Sequence, residues 1–155
     1  MSDQRSPHIT PHRPWARWSF ERADHHRWVT WLAVLGVGMA AAMALIGLPP
    51  VDLHGPLHRI GIMDPLCGGT RAARYTARGD LSLAWTYNPL GIITVLGAAA
   101  IAVRALVGLI FGSWLTASLA WTPRRKRLLL TIGLIALIAL QFRQQLRADL
   151  LMAGT

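Results

Sequence analysis

The chain has 155 residues, 53% hydrophobic and 15% charged, with a net charge of +9 and a single cysteine. This length suits one domain, and the lone Cys67 excludes an internal disulfide. No soluble basic face or stacking platform accompanies the positive charge, so nucleic acid is not an expected partner. The charge is read instead as membrane orientation and contact with anionic lipid.

Residues 1–27 are polar and rich in His, Pro and Arg, and are expected to form a disordered basic tail. His25, His26 and Arg27, followed by Trp28 and Trp31, have the composition of a headgroup-level belt. Residues 28–48 are then uncharged and apolar, about as long as a helix that crosses the hydrocarbon core. Gly36 and Ala40 within them form a small-xxx-small pair, which lets another helix approach closely. The block exceeds a signal-peptide core and ends at Pro49-Pro50 rather than at a small-x-small site. It is therefore expected to be a retained transmembrane helix.

Residues 49–88 form a loop punctuated by Pro and Gly, carrying Asp52, His54, His58, Arg59 and Asp64. Thr70 is expected to cap a short helix from Arg71 to Arg78, with Gly79 at its C′ position. Asp80 is expected to cap a second, Leu81 to Tyr87. Arg71, Arg74 and Arg78 recur at i, i+3 and i+7 and share one face. The expectation is a pair of short interfacial helices.

Asn88-Pro89 starts a second span, about 89–112, in the favoured manner of a cap followed by proline. Arg104 interrupts it and is expected to snorkel toward headgroups rather than meet a buried partner. Residues 112–121 continue amphipathically. Arg124, Arg125, Lys126 and Arg127 make a basic stop before a third span, about 126–145, and a tail, 146–155. The expected fold is an all-α membrane protein with about three transmembrane helices, its membrane domain covering 28–145. Nine Lys and Arg residues flank the spans on the N-terminal side and six on the other. That bias predicts a cytoplasmic N-terminus for a multi-pass protein of the inner (plasma) membrane.

The string Asp64-Pro-Leu-Cys-Gly-Gly-Thr-Arg71-Ala, then Arg78-Gly-Asp80, then Asn88-Pro-Leu90, resembles the Domain of Unknown Function 2752 family of small bacterial membrane proteins. The family pattern runs roughly Cys-Pro-x-Cys-Gly-x-Thr-Arg, Gly-Asp, Asn-Pro-Leu, and the match covers about 27 contiguous residues. The resemblance implies a helical membrane protein and no established activity. Asp64 stands where the family usually has its first cysteine, so a disulfide or a redox pair with Cys67 is excluded.

Cys67 with His54 or His58 as base is one nucleophile arrangement, weighed against a small apolar residue packed under the Gly-Gly turn. The simpler packing reading is preferred. His54, His58, Asp52, Asp64 and Cys67 show no recognised ligand spacing, so neither a metal nor a cofactor is expected. No catalytic residue is assigned. The motif candidates for binding are Cys67, Gly68, Thr70, Arg71, Gly79, Asp80, Asn88 and Pro89, with His54, His58, Asp64 and Arg104 as weaker ones. Arg71 opposes the helix dipole in its first turn, and Asp80 is the expected partner for its charge. The expected role is a non-catalytic accessory or scaffold subunit, binding another membrane protein or lipid through residues 64–90. The alternative is a membrane-embedded enzyme acting on a lipid-linked or peptide substrate.

Overall fold

In chain order the computed structural model contains β1 (Ala16–Glu21), α1 (Arg27–Ile46), α2 (Gly69–Ala77), α3 (Leu81–Tyr87), α4 (Pro89–Phe111), β2 (Trp114–Leu119), α5 (Pro123–Gln145) and α6 (Ala148–Met152). It describes residues 16–48 and 61–152. Three of the described helices, α1, α4 and α5, are long and apolar enough to cross a membrane. At 1.5 Å per residue they extend about 30–35 Å, against a hydrocarbon core of about 30 Å. The fold is all-α in class with three such helices.

Each long helix starts or stops for a local reason. Asn88 has extended backbone and its side chain accepts from the amide of Leu90, while Pro89 fills the first turn of α4. Thr122 accepts from the amide of Arg125 at the start of α5, and Pro123 again occupies the first turn. The basic run 124–127 is therefore the opening turn of α5 rather than a stop before it. Gly112 ends α4 in the left-handed region, at φ 59°, a conformation glycine adopts without steric cost.

Beyond Gly112 the chain changes structure. Residues 114–119 do not continue the helix; they form β2, which pairs antiparallel with β1. Ala16 lies opposite Leu119, Trp18 opposite Ala117 and Phe20 opposite Leu115. Part of the stretch expected to be a disordered tail is thus an ordered strand. The period-two alternation is legible in both segments, but each is short. Their pairing joins positions about a hundred residues apart, which a local pattern cannot announce.

α1 packs along α4 and also touches α2. The packed stripe of α1 runs through Ala33, Val37 and Ala40, and Gly36 is exposed beside it. The Gly36–Ala40 face expected from sequence is therefore only half used. α2 crosses close over the start of α4, where Gly91 is buried. A Cβ on Gly91 would lie 2.6 Å from the Cβ of Ala72 and 3.0 Å from the carbonyl oxygen of Gly69. Only a hydrogen fits that crossing.

α2 begins at Gly69, ahead of the Arg71 start expected from sequence. Gly68, at φ 76°, occupies its N-cap position with no side-chain cap, so Thr70 is an exposed residue of the first turn and not the cap. Gly79, at φ 81°, follows the C-cap Arg78, and the side chain of Asp80 accepts from the amide of Leu83 to start α3.

The strands join the start of α1, the end of α4 and the start of α5 at one end of the molecule. At the other end lie α2, α3, the end of α5 and α6. The C-terminal segment folds back there. Leu151 is buried with Met63 and Cys67, and Tyr87 and Ala148 pack around them.

Candidate functional site

The motif end of the molecule is organised around main-chain carbonyl groups. The loop entering α2 and the C-terminus of α3 both leave carbonyls without helical partners, and such groups need donors once buried. Asn88 supplies two. Its side-chain amide donates to the carbonyls of Pro65, at 2.9 Å, and Cys67, at 3.0 Å, while its oxygen caps α4. Asn88 is fully buried, so its place in the motif is that of a three-way brace.

The remaining donors come from the end of α5 and from the residue just beyond it. Gln144, fully buried, donates to Cys67 O at 3.1 Å and to Tyr87 O at 3.0 Å. Gln145 accepts from the amide of Met63 at 3.0 Å and donates to Gly61 O at 2.9 Å. Gln141 donates to Met63 O. Arg143 donates to Trp85 O and lies over the Trp85 ring, 5.8 Å from its centroid. Arg147, just past the helix, donates to Thr86 O at 2.6 Å. The last three carbonyls of α3 are thus capped in order by Arg143, Arg147 and Gln144. The end of the third spanning helix reads the backbone of the motif.

These five α5-end residues were not singled out by sequence reasoning. A signal existed, because Gln141, Arg143, Gln144 and Gln145 are a polar cluster ending an apolar helix. On its own that cluster is equally the mark of a helix leaving the membrane.

Arg71 and Asp80 do not form the expected pair. Arg71 donates to Leu151 O at 3.3 Å and lies over the Tyr87 ring, which in turn stacks on Tyr75 at 5.5 Å. Asp80 is exposed and occupied in capping α3. The two charges sit at different ends of α2, and no ion pair joins them. A helix of this length separates its ends by about 13 Å, beyond the reach of the two side chains.

Cys67 is 6% exposed, and its thiol lies 3.5 Å from the sulfur of Met63. Burial first, and the Asp64 carboxylate second, push the thiol above its ordinary pKa, against the opposing pull of Arg71 and the Gly68 amide. A buried thiol held protonated is a poor nucleophile. Asp64 accepts from the amide of Leu66, tightening the turn before Cys67. Gly68 is tightly placed: a Cβ there would meet Leu151 at 2.8 Å. His54 and His58 lie outside the described residues. Among the described residues no three His, Cys, Asp or Glu side chains are grouped to hold a metal ion.

Arg104 also departs from expectation, for it has a buried partner. It forms an ion pair with Asp24 at 3.2 Å, donates to Leu115 O, and stands over the Trp114 ring. Asp24 also accepts from Thr30, at 2.6 Å, and from the amide of His26. Burial opposes the charged carboxylate, but the bonds from Thr30, His26 and Arg104 outweigh it and hold Asp24 below its ordinary pKa. Snorkelling gives way because β2 and the 22–26 connection bring acceptors, Leu115 O and the Asp24 carboxylate, within reach of this end of α4.

Three helices of spanning length, tied at one end by a carbonyl-reading polar cluster, define a small multi-pass helical membrane protein. Residues 56–102 match the family model described as "Protein of unknown function (DUF2752)", so this segment, from the motif into α4, is similar to that family. No match is found among curated proteins or solved structures.

Proposed function

We propose that the protein is a non-catalytic accessory or scaffold subunit that binds another membrane protein. The observation that carries this reading is the isolation of α5. Its residues 123–139 are exposed throughout, and among the described residues it is held only by its C-terminal turns. A spanning helix bonded at one end and unpacked along its length offers a lipid-facing surface for helix–helix association. In this reading the 64–90 motif sets the position of α5 through its backbone carbonyls. The N-terminus is cytoplasmic, in the inner membrane, on the nine-to-six bias of Lys and Arg. The basic turn 124–127 then contacts anionic lipid.

Photocrosslinking residues at Leu130, Leu134 and Leu137, introduced singly in native membranes, test the proposal. A discrete protein adduct of one mass, lost when Gln144→Leu frees the end of α5, is the expected result. Lipid adducts alone at all three positions overturn it.

A further inference from the structure

The two-stranded sheet has one face that neither the motif nor α5 explains. The register puts Ala16, Trp18 and Phe20 on the same face as Leu119, Ala117 and Leu115. Arg17, Ser19 and Glu21 share the opposite face with Ser118, Thr116 and Trp114. The second face is partly used: Trp114 packs where a Cβ on Gly108 would lie 2.6 Å from its ring, and Thr116 is buried. The first face is apolar and open, with Trp18 68%, Phe20 75% and Leu119 47% exposed. It overhangs a cleft of about 330 Å³ lined by Trp18, Leu115 and Ala117 of the sheet and by Val29, Thr30, Ile101 and Arg104 of the spanning helices, together with His26.

We propose that this sheet lies in the bilayer interface with its Trp18–Phe20–Leu119 face turned toward the acyl chains, and that a phospholipid chain fills the cleft beneath it. Three observations favour lipid as the occupant. Short connections, residues 22–26, 112–113 and 120–122, tie the sheet to all three spanning helices, so it cannot leave the membrane surface. The far wall of the cleft is the flank of α1 and α4 themselves, continuous with their lipid-facing surface. Arg17, Arg22, Arg27, Arg124, Arg125, Lys126 and Arg127 surround the sheet with charge complementary to anionic headgroups. The nearby carboxylates are engaged, Glu21 by His25 at 2.7 Å and Asp24 by Arg104. Aromatic rings with apolar bodies suit this depth. Among the described residues the outer edges of both strands are unpaired, which forbids deeper insertion, since backbone groups in hydrocarbon need partners.

Spin labels test it in the full chain carrying Cys67→Ala, reconstituted in nanodiscs of phosphatidylethanolamine and phosphatidylglycerol. Labels replacing Trp18, Phe20 and Leu119 are expected to be several-fold more accessible to oxygen than to an aqueous nickel chelate. Labels replacing Arg17, Ser19 and Ser118 are expected to show the reverse. Nickel access equal on both faces, or oxygen exclusion at the first set by a protein contact, overturns the proposal. A second measurement avoids labels. In brominated-chain lipid the unlabelled protein is expected to lose more tryptophan fluorescence than its Trp18→Phe variant, and equal losses refute the assignment.

Discussion

Asn88 and Gln144 donate to the same atom, the carbonyl oxygen of Cys67, at 3.0 and 3.1 Å. One residue opens the second spanning helix and the other closes the third, so a single main-chain oxygen ties two membrane crossings to the motif. A carbonyl has two lone pairs, and either donor alone keeps it satisfied.

That shared acceptor makes the two residues non-additive. Asn88→Ala and Gln144→Ala are each expected to cost roughly 1–3 kcal/mol, as buried acceptors lose a donor. In the double variant the Cys67 carbonyl loses both, so the loss is expected to exceed the sum. Denaturation in detergent, analysed as a double-mutant cycle, measures the difference.

Asp24 and Arg104 form a partly buried pair, and stranding either charge is costly. Arg104→Ala and Asp24→Ala are each expected to destabilise by roughly 1.5–3 kcal/mol, and the double variant by less than their sum. The folded pKa of Asp24 is depressed. Its contribution is therefore fully present above the unfolded value, about 3.9, and is lost as pH falls through the folded value. A melting temperature that drops on acidification below about pH 4, with a smaller drop in Asp24→Asn, is the expected record.

The crossing of α2 over α4 depends on Gly91. Gly91→Ala is expected to cost about 1–3 kcal/mol, because its methyl overlaps Ala72 at 2.6 Å. Ala72→Gly in the same chain removes that neighbour and is expected to restore part of the loss. No recovery of melting temperature in the double variant points to the Gly69 carbonyl as the dominant clash.

Arg71 and Asp80 are expected to behave independently. Asp80→Ala removes the cap of α3 and costs about 0.5–2 kcal/mol. Arg71→Ala loses the contacts to Leu151 O and the Tyr87 ring. Stability losses that add within error are the expected outcome, and a coupling well outside error contradicts the separation of the two side chains.

Cys67 serves the site through its carbonyl, which every residue type possesses. Cys67→Ala is expected to cost less than about 1.5 kcal/mol, whereas Cys67→Ser buries a hydroxyl beside a thioether and costs roughly 1–3 kcal/mol. Maleimide labelling of the native protein is expected to be slow until denaturant is added. Rapid labelling in the folded state tells against a buried, protonated thiol.

Features encoded by neighbouring residues were determined by the sequence alone. The spans follow from long apolar blocks, which the single Arg104 and the basic turn 124–127 do not break. Asp80 caps α3 and Asn88-Pro89 opens α4 because each acts on amides within three residues of itself. The tertiary structure decided every choice of distant partner. Thr70 lost its expected role because Gly68 turned the chain into α2 first, and Arg104 exchanged headgroups for Asp24 because the 22–26 connection brought that carboxylate within reach. Gln141, Gln144 and Gln145 look in sequence like the polar end of a helix. They become the clamp of the motif only because folding leaves buried carbonyls opposite them. A local pattern specifies which groups a segment satisfies within itself. The groups left over acquire partners only when the chain has brought its distant parts together.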